Sequence, residues 1–222
     1  HLPLAPEYIG YGDIGLGADF FTATRPGIER LDEHLFKYHV DFSHLEEAQA
    51  IGALCVSRPT NPTGNVLTDE EMTRLDAIAR SLDIPLIVDG AYGLPFPNIV
   101  FTAARPHWND NTILALSLSK LGLPGARTGI VIAREDIIRA FTNANTIVSL
   151  ACGNLGPALT GALFDNDEIL RLSRDHIEPW YRERSRQTVR WLREQLGDLP
   201  YRIHKPEGAI FLWLWLEGLP LT

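Results

Sequence analysis

The sequence predicts an α/β fold, a mostly parallel sheet flanked by helices, followed by part of a smaller α+β unit. Three observations carry this. Short apolar runs bounded by turn residues alternate with amphipathic segments over roughly positions 1–160. Most of those runs end in residues with polar chemistry, and in open α/β sheets ligands gather at the carboxyl ends of strands. From about Asp165 the texture changes to a charged, helix-forming stretch and then to two further apolar runs.

Taken in order, the opening LPLAPEYIGYGD reads as the end of a strand. Ala53 to Ser57 (ALCVS) reads as a buried strand, broken at once by Arg58-Pro59-Thr60-Asn61-Pro62-Thr63-Gly64. A helix starts at Thr68, with Thr68 as N-cap and Glu71 completing a capping box, and runs through Leu75, Ile78 and Ala79 to about Leu82. Pro85 to Asp89, Ile113 to Leu118 and Thr128 to Ala133 are three more short strands, rich in β-branched residues or leucine. Residues 165–197 form the long helical stretch, with a kink or break expected at Pro179. Tyr201 to His204 and Ala209 to Leu216 then read as strands separated by Lys205-Pro206-Glu207-Gly208. The division expected is a larger ligand-binding domain over 1–160, then a connecting helix and the start of a small domain over 161–222.

Composition narrows the function. A net charge of −8 argues against nucleic acid, which needs a basic face. No apolar run approaches the ~20 residues of a membrane span. Cys55 and Cys152 lie far apart with no metal spacing and read as two buried small hydrophobes in a reduced, cytoplasmic setting. His34, His39 and His44 recur every five positions, which matches neither a metal-ligand pair nor a helix face. Trp213 and Trp215 alternate with leucines, as in a strand packed on both sides. The arginines at 182, 184, 186, 190 and 193 read as a solvated helix face.

Three strand ends carry the chemistry. Asn61-Pro62-Thr63-Gly64 alone is a turn, and Asp89-Gly90-Ala91-Tyr92 alone says only that a ligand site is near. Ser117-Leu118-Ser119-Lys120, followed by Gly122, Gly125 and Arg127, would alone be a surface charge after a strand. Their order and spacing together resemble the fold-type I pyridoxal-phosphate-dependent aminotransferases of class I and II. The stretches SRPTNPTGNVLTDEE, DGAYGLPFP, SLSKLGLPGARTGIVIA and HKPEGAIFLWLW extend the resemblance along the whole chain, toward the branch that exchanges valine with pyruvate. Arg127 follows Lys120 by seven positions, one fewer than in most members, and Gly90 stands where the branch more often has a larger polar residue.

The resemblance implies pyridoxal 5'-phosphate as cofactor, with Lys120 bonded to its aldehyde carbon and acting as general base and acid. It places Asp89 against the pyridine nitrogen and Asn61 and Tyr92 on the phenolic oxygen. Ser117, Ser119 and Arg127 would hold the phosphate, and Tyr8 would stack on the ring. The reaction implied moves an amino group between valine or alanine and pyruvate or 3-methyl-2-oxobutanoate, in a homodimer when complete. A lyase or synthase with the same cofactor, or a non-catalytic sensor domain, would share these residues. Family members also use a glycine-bearing phosphate loop and a carboxylate-gripping arginine, neither found here, so an internal piece of a chain roughly twice this size is expected.

Overall fold

The computed structural model describes residues 1–8, 10, 17, 20–43, 45 and 51–218. His44 therefore lies outside the described residues, as do most of 9–19 and the last four positions. The opening segment, read as the end of a strand, forms none among its described residues, only an isolated bridge from Leu2 to Ala23. Two strands follow it: β1 (Gly27–Arg30) and β2 (Leu35–His39) form an antiparallel hairpin. The predicted runs follow as β3 (Leu54–Ser57), β4 (Leu86–Asp89), β5 (Thr112–Ser117) and β6 (Gly129–Ile132). They make one sheet in the order β3-β4-β5-β6, parallel through β5, with β6 antiparallel. The short connection 118–128 lacks the crossover helix that a parallel neighbour requires, so β6 returns as a hairpin arm.

Side chains alternate across these strands. Leu54, Val56, Leu86, Val88, Leu114 and Leu116 are buried in the main core, where Met72, Leu75 and Ala79 of helix α1 (Asp69–Ser81) meet them. The capping box is present: Thr68 Oγ1 accepts from Glu71 N at 3.1 Å, and Glu71 Oε2 accepts from Thr68 N at 2.7 Å. Glu71 Oε1 also accepts from Val40 N at 3.0 Å, tying the helix start to the end of β2.

The C-terminal stretch departs from the sequence reading in several places. Helices α2 (Glu135–Ser149), α3 (Leu155–Asp165) and α4 (Glu168–Leu172) lead into a π-helical turn, Ser173–Ile177, and then α5 (Glu178–Leu196). The irregularity thus precedes Pro179, which sits in the first turn of α5, where a missing N–H does no harm. Of the two predicted strands, β7 (Tyr201–His204) is as read, but β8 is only Leu214–Leu216. Ala209 has φ 59°, which strand geometry does not admit. β8 is an edge strand and half-buried rather than packed on both sides, although Trp213 Nε1 donates to Tyr38 Oη at 3.3 Å. Arg182 is only partly solvated: it donates to the Phe101 carbonyl at 2.8 Å and pairs with Glu178. Cys152 is exposed and Cys55 half-buried, so the reading of both as buried holds for neither in full.

β7 pairs parallel with β2, giving a second four-stranded sheet in the order β1-β2-β7-β8. Behind it lies a buried polar cluster. Lys37 Nζ pairs with Glu207 and donates to Asn65 Oδ1 and the Val66 carbonyl, both at 3.1 Å. Glu207 also accepts from Val66 N at 3.2 Å, and His204 Nε2 lies 3.2 Å from Asn65 Oδ1. This cluster joins the second sheet to the loop that follows β3.

Candidate active site

The parallel register sets Ser57 and Asp89, the last residues of β3 and β4, side by side with Ala115 of β5, two positions before that strand ends. Side chains two apart share a face, so Asp89 lies opposite the core-facing Val88. Each strand then turns sharply. After β3, the buried Arg58 guanidinium folds the loop back on itself: it donates to the carbonyls of Leu67 and Arg105, each at 2.8 Å, and to Asp69 at 2.7 Å. Within that loop Gly64 N donates to the Thr60 carbonyl at 2.8 Å, closing the turn that carries Asn61. After β4, Asp89 Oδ1 accepts from Ala91 N at 2.9 Å, which fixes the carboxylate's orientation. Gly93 passes so close to the Arg58 carbonyl that a Cβ there would collide with it. After β5, Ser117 Oγ accepts from Ser119 N at 3.1 Å, and a 3-10 turn, Ser119–Leu121, presents Lys120.

These ends enclose a cleft of about 230 Å³ lined by Tyr8, Ser57, Pro59, Asn61, Asp89, Ala91, Tyr92 and Lys120. Lys120 Nζ stands 5.3 Å from the Tyr92 ring centroid, within reach of a cation–π attraction. Burial, with Asp89 nearby, pushes the Tyr92 hydroxyl up to about 12, so it is a donor at neutral pH. Glu7, next to Tyr8, is also pushed up, to about 6, by burial and by Asp89, against hydrogen bonds from Ser57 and the Tyr8 amide. Tyr8 forms a more open wall at 43% exposure.

Five of the eight residues picked from the sequence (Tyr8, Asn61, Asp89, Tyr92 and Lys120) therefore meet on one cleft. Ser117, Ser119 and Arg127 are not on its wall. The two serines bracket the approach to Lys120, while Arg127 is exposed beyond the Gly122 turn, with φ 44°. Ser57, Pro59 and Ala91 were missed as lining residues although each lies inside a quoted motif. Glu7 was missed too, and its only signal was adjacency to Tyr8.

The sequence model of the family "Aminotransferase class I and II" matches residues 30–219. The chain belongs to the class I and II aminotransferase family. It is 57% identical over 220 residues to the valine–pyruvate aminotransferase of Escherichia coli (strain K12), covering 99% of this chain and 53% of that protein. The crystal structure of valine-pyruvate aminotransferase from Salmonella typhimurium LT2 superposes with a TM-score of 0.92 at 55% identity, over 100% of this chain and 56% of that one. An aspartate aminotransferase double mutant from Thermus thermophilus shares the fold, with a TM-score of 0.74 at 19% identity over 94% of this chain and 53% of that one. The chain thus spans about half the length of the family members it matches, and its fold is that of fold-type I aminotransferases. Among the described residues no helix is long and apolar enough to cross a membrane.

Proposed function

We propose that the strand-end cleft binds pyridoxal 5'-phosphate and that the protein transfers amino groups between an amino acid and a 2-oxo acid, with valine or alanine and pyruvate or 3-methyl-2-oxobutanoate as substrates. The observation that carries this is the convergence of Lys120, Asp89, Asn61, Tyr92 and Tyr8 on one cleft. The substrate pair is supported by the 57% identity to the Escherichia coli enzyme.

The donor set fits the cofactor. The cleft wall offers an amine, a carboxylate, an amide, a protonated phenol and an open aromatic face. When bound, pyridoxal phosphate supplies an aldehyde that takes up the amino group and a ring that draws electrons from the carbon bearing it. Lys120 would hold the aldehyde end and would serve as the base that takes the proton from the substrate's α-carbon. Asp89, held by the Ala91 amide, would keep a proton on the ring nitrogen. Tyr92 and Asn61 would donate to the ring oxygen, and Tyr8 would cover the ring face. Ser117, Ser119 and Arg127 meet the phosphate, an assignment supported by the family motif following β5.

The division into a cofactor-binding part over 1–160 and a connecting and small-domain part over 161–222 belongs to the same proposal. Its support is that the cleft-lining residues all precede 160. A homodimer is supported by the apolar side chains exposed on α2 and just beyond it, Phe141, Ile147, Val148 and Leu150. A cytoplasmic setting is supported by two free cysteines.

Titration of the protein with pyridoxal phosphate should produce the visible absorbance that the cofactor gains on bonding to a lysine amine. Valine should bleach it, with the 2-oxo acid appearing, and Lys120→Ala should abolish it. Absorbance that survives Lys120→Ala would overturn the assignment of Lys120. Absence of the band in the full-length wild-type parent would overturn the reading as a whole.

A further inference from the structure

We propose that Glu7 is a positioning residue of the cleft, acting through Tyr8: its carboxylate clamps the segment that carries Tyr8 onto the end of β3. The inference rests on the reading of the cleft as a pyridoxal-phosphate site.

β3 is the edge of its sheet, and its outer side is covered by the start of the chain. Cys55 N donates to the His1 carbonyl at 2.9 Å, and residues 2–5 are stitched in turn to Thr22 and Thr24. The main chain then leaves the edge, and a side chain takes over. Glu7 Oε2 accepts from Ser57 N at 3.0 Å, supplying the acceptor that a neighbouring strand would offer. The other oxygen, Oε1, accepts from Tyr8 N at 2.9 Å. One carboxylate therefore links the backbones of two cleft-lining residues, Ser57 and Tyr8.

The linkage has a defined purpose on the page. Tyr8 is the most open wall of the cleft, 43% exposed, and it belongs to no helix or strand. Its ring rests against Gly10, where a Cβ would overlap the ring. Gly10 thus clears the space and Glu7 fixes the backbone. Only a carboxylate presents two acceptors to two N–H donors: a glutamine at this position brings one acceptor and two unwanted hydrogens. The group that acts on Glu7 by charge is Asp89, on β4, while β3 presents the Ser57 amide and hydroxyl. Glu7 therefore also places a second carboxylate beside the one assigned to the ring nitrogen.

The test is a double-mutant cycle read as the dissociation constant of pyridoxal phosphate, together with hydrogen exchange measured without cofactor. In the wild-type background Glu7→Ala should weaken cofactor binding about tenfold, from loss of hydrogen bonds to a charged group. In a Tyr8→Ala background the same change should weaken it less than about threefold, because the group it positions is gone. Glu7→Gln should fall between wild type and Glu7→Ala, and it carries the cycle if Glu7→Ala does not fold. Without cofactor, amide exchange in the peptide holding Ser57 should quicken about tenfold in the Glu7 variants. Equal effects in both Tyr8 backgrounds, or an unchanged dissociation constant, would overturn the positioning role while leaving the cofactor site standing. Failure of the wild type to bind pyridoxal phosphate would instead remove the reading on which the proposal rests, and the proposal with it.

Discussion

Replacing Glu207 with glutamine should destabilise the protein by roughly 3–5 kcal/mol, the penalty for removing one partner of a buried ion pair. The side chains of Lys37 and Glu207 are only 7% and 3% exposed, so neither can turn to water when the other is neutralised. Burial alone would raise the Glu207 carboxyl. The Lys37 charge, with hydrogen bonds from Lys37, Val66 N and Lys205, holds it below the usual carboxylate range instead. Glutamine keeps the shape and one acceptor oxygen, but it leaves the buried Lys37 ammonium, which also donates to Asn65 Oδ1 and the Val66 carbonyl, without a counter-charge. Against a total stability of about 5–15 kcal/mol this is a large loss. With an m-value near 2 kcal/mol per molar, the urea midpoint should fall by about 2 M. The loss should persist in 1 M salt, because a pair away from solvent is little screened. The combination Lys37→Met with Glu207→Leu should recover most of it, since a well-packed apolar pair often equals a buried ionic one. A Glu207→Gln loss under about 1 kcal/mol, with no recovery in the double variant, would refute the claim that this pair is closed to water.

Acid should destabilise the protein through His204, whose pKa burial lowers to about 4. The unfolded chain takes up this proton near 6.5, so the contribution is full above that value and lost as the pH falls toward 4, by roughly 3 kcal/mol. Glu7 works in the opposite sense between about 6 and 4.5 and offsets roughly 2 kcal/mol; urea midpoints at pH 7 and pH 5 should therefore fall more steeply in Glu7→Gln than in the wild type. Gly64→Ala should destabilise by about 1–3 kcal/mol, because φ is 71° and the new Cβ would stand 2.8 Å from the Gly208 carbonyl. Cofactor affinity should drop with it, since Gly64 closes the turn bearing Asn61; thermal melts and cofactor titration check both. Thr68→Ala should lose about 1 kcal/mol from the α1 cap, measured by urea unfolding, and leave cofactor affinity unchanged.

Local chemistry was legible in the sequence and long-range pairing was not. The strand runs before Arg58, Gly90 and Leu118 announce themselves through β-branched composition and abrupt turn residues. The Thr68–Glu71 capping box involves neighbours three apart, so its residues suffice to predict it. Lys120, Asp89, Asn61 and Tyr92 sit at the ends of such runs, which is why they could be grouped before any coordinates. By contrast, β2 finds β7 across more than 160 positions, and nothing in LFKYH or YRIH names the other. The reversed direction of β6 follows from a short connection that could be measured only once both strand ends were placed. Glu7 shows the same limit at the site itself. A glutamate beside a tyrosine carries no signal until Ser57 is seen to lie 3.0 Å away. The shortening of β8 goes with Ala209, which has φ 59° and donates from its N to the Ile99 carbonyl at 2.9 Å, a contact between segments far apart in the chain.

The Lys37–Glu207 pair has a consequence for biosynthesis. Its members are 170 positions apart, so on a ribosome adding about 5–20 residues per second the lysine precedes its partner by roughly 10 to 35 seconds. Until Glu207 emerges, the loop after β3 lacks the anchor that seats Asn65 and Val66, and the neighbouring Asn61 turn lacks the Gly208 segment packed against Gly64. Nascent chains released before that point would carry Lys120 and Asp89 in full and still hold an unfinished cleft. The loop that bears Asn61 thus gains its last anchor only once residue 207 has been made.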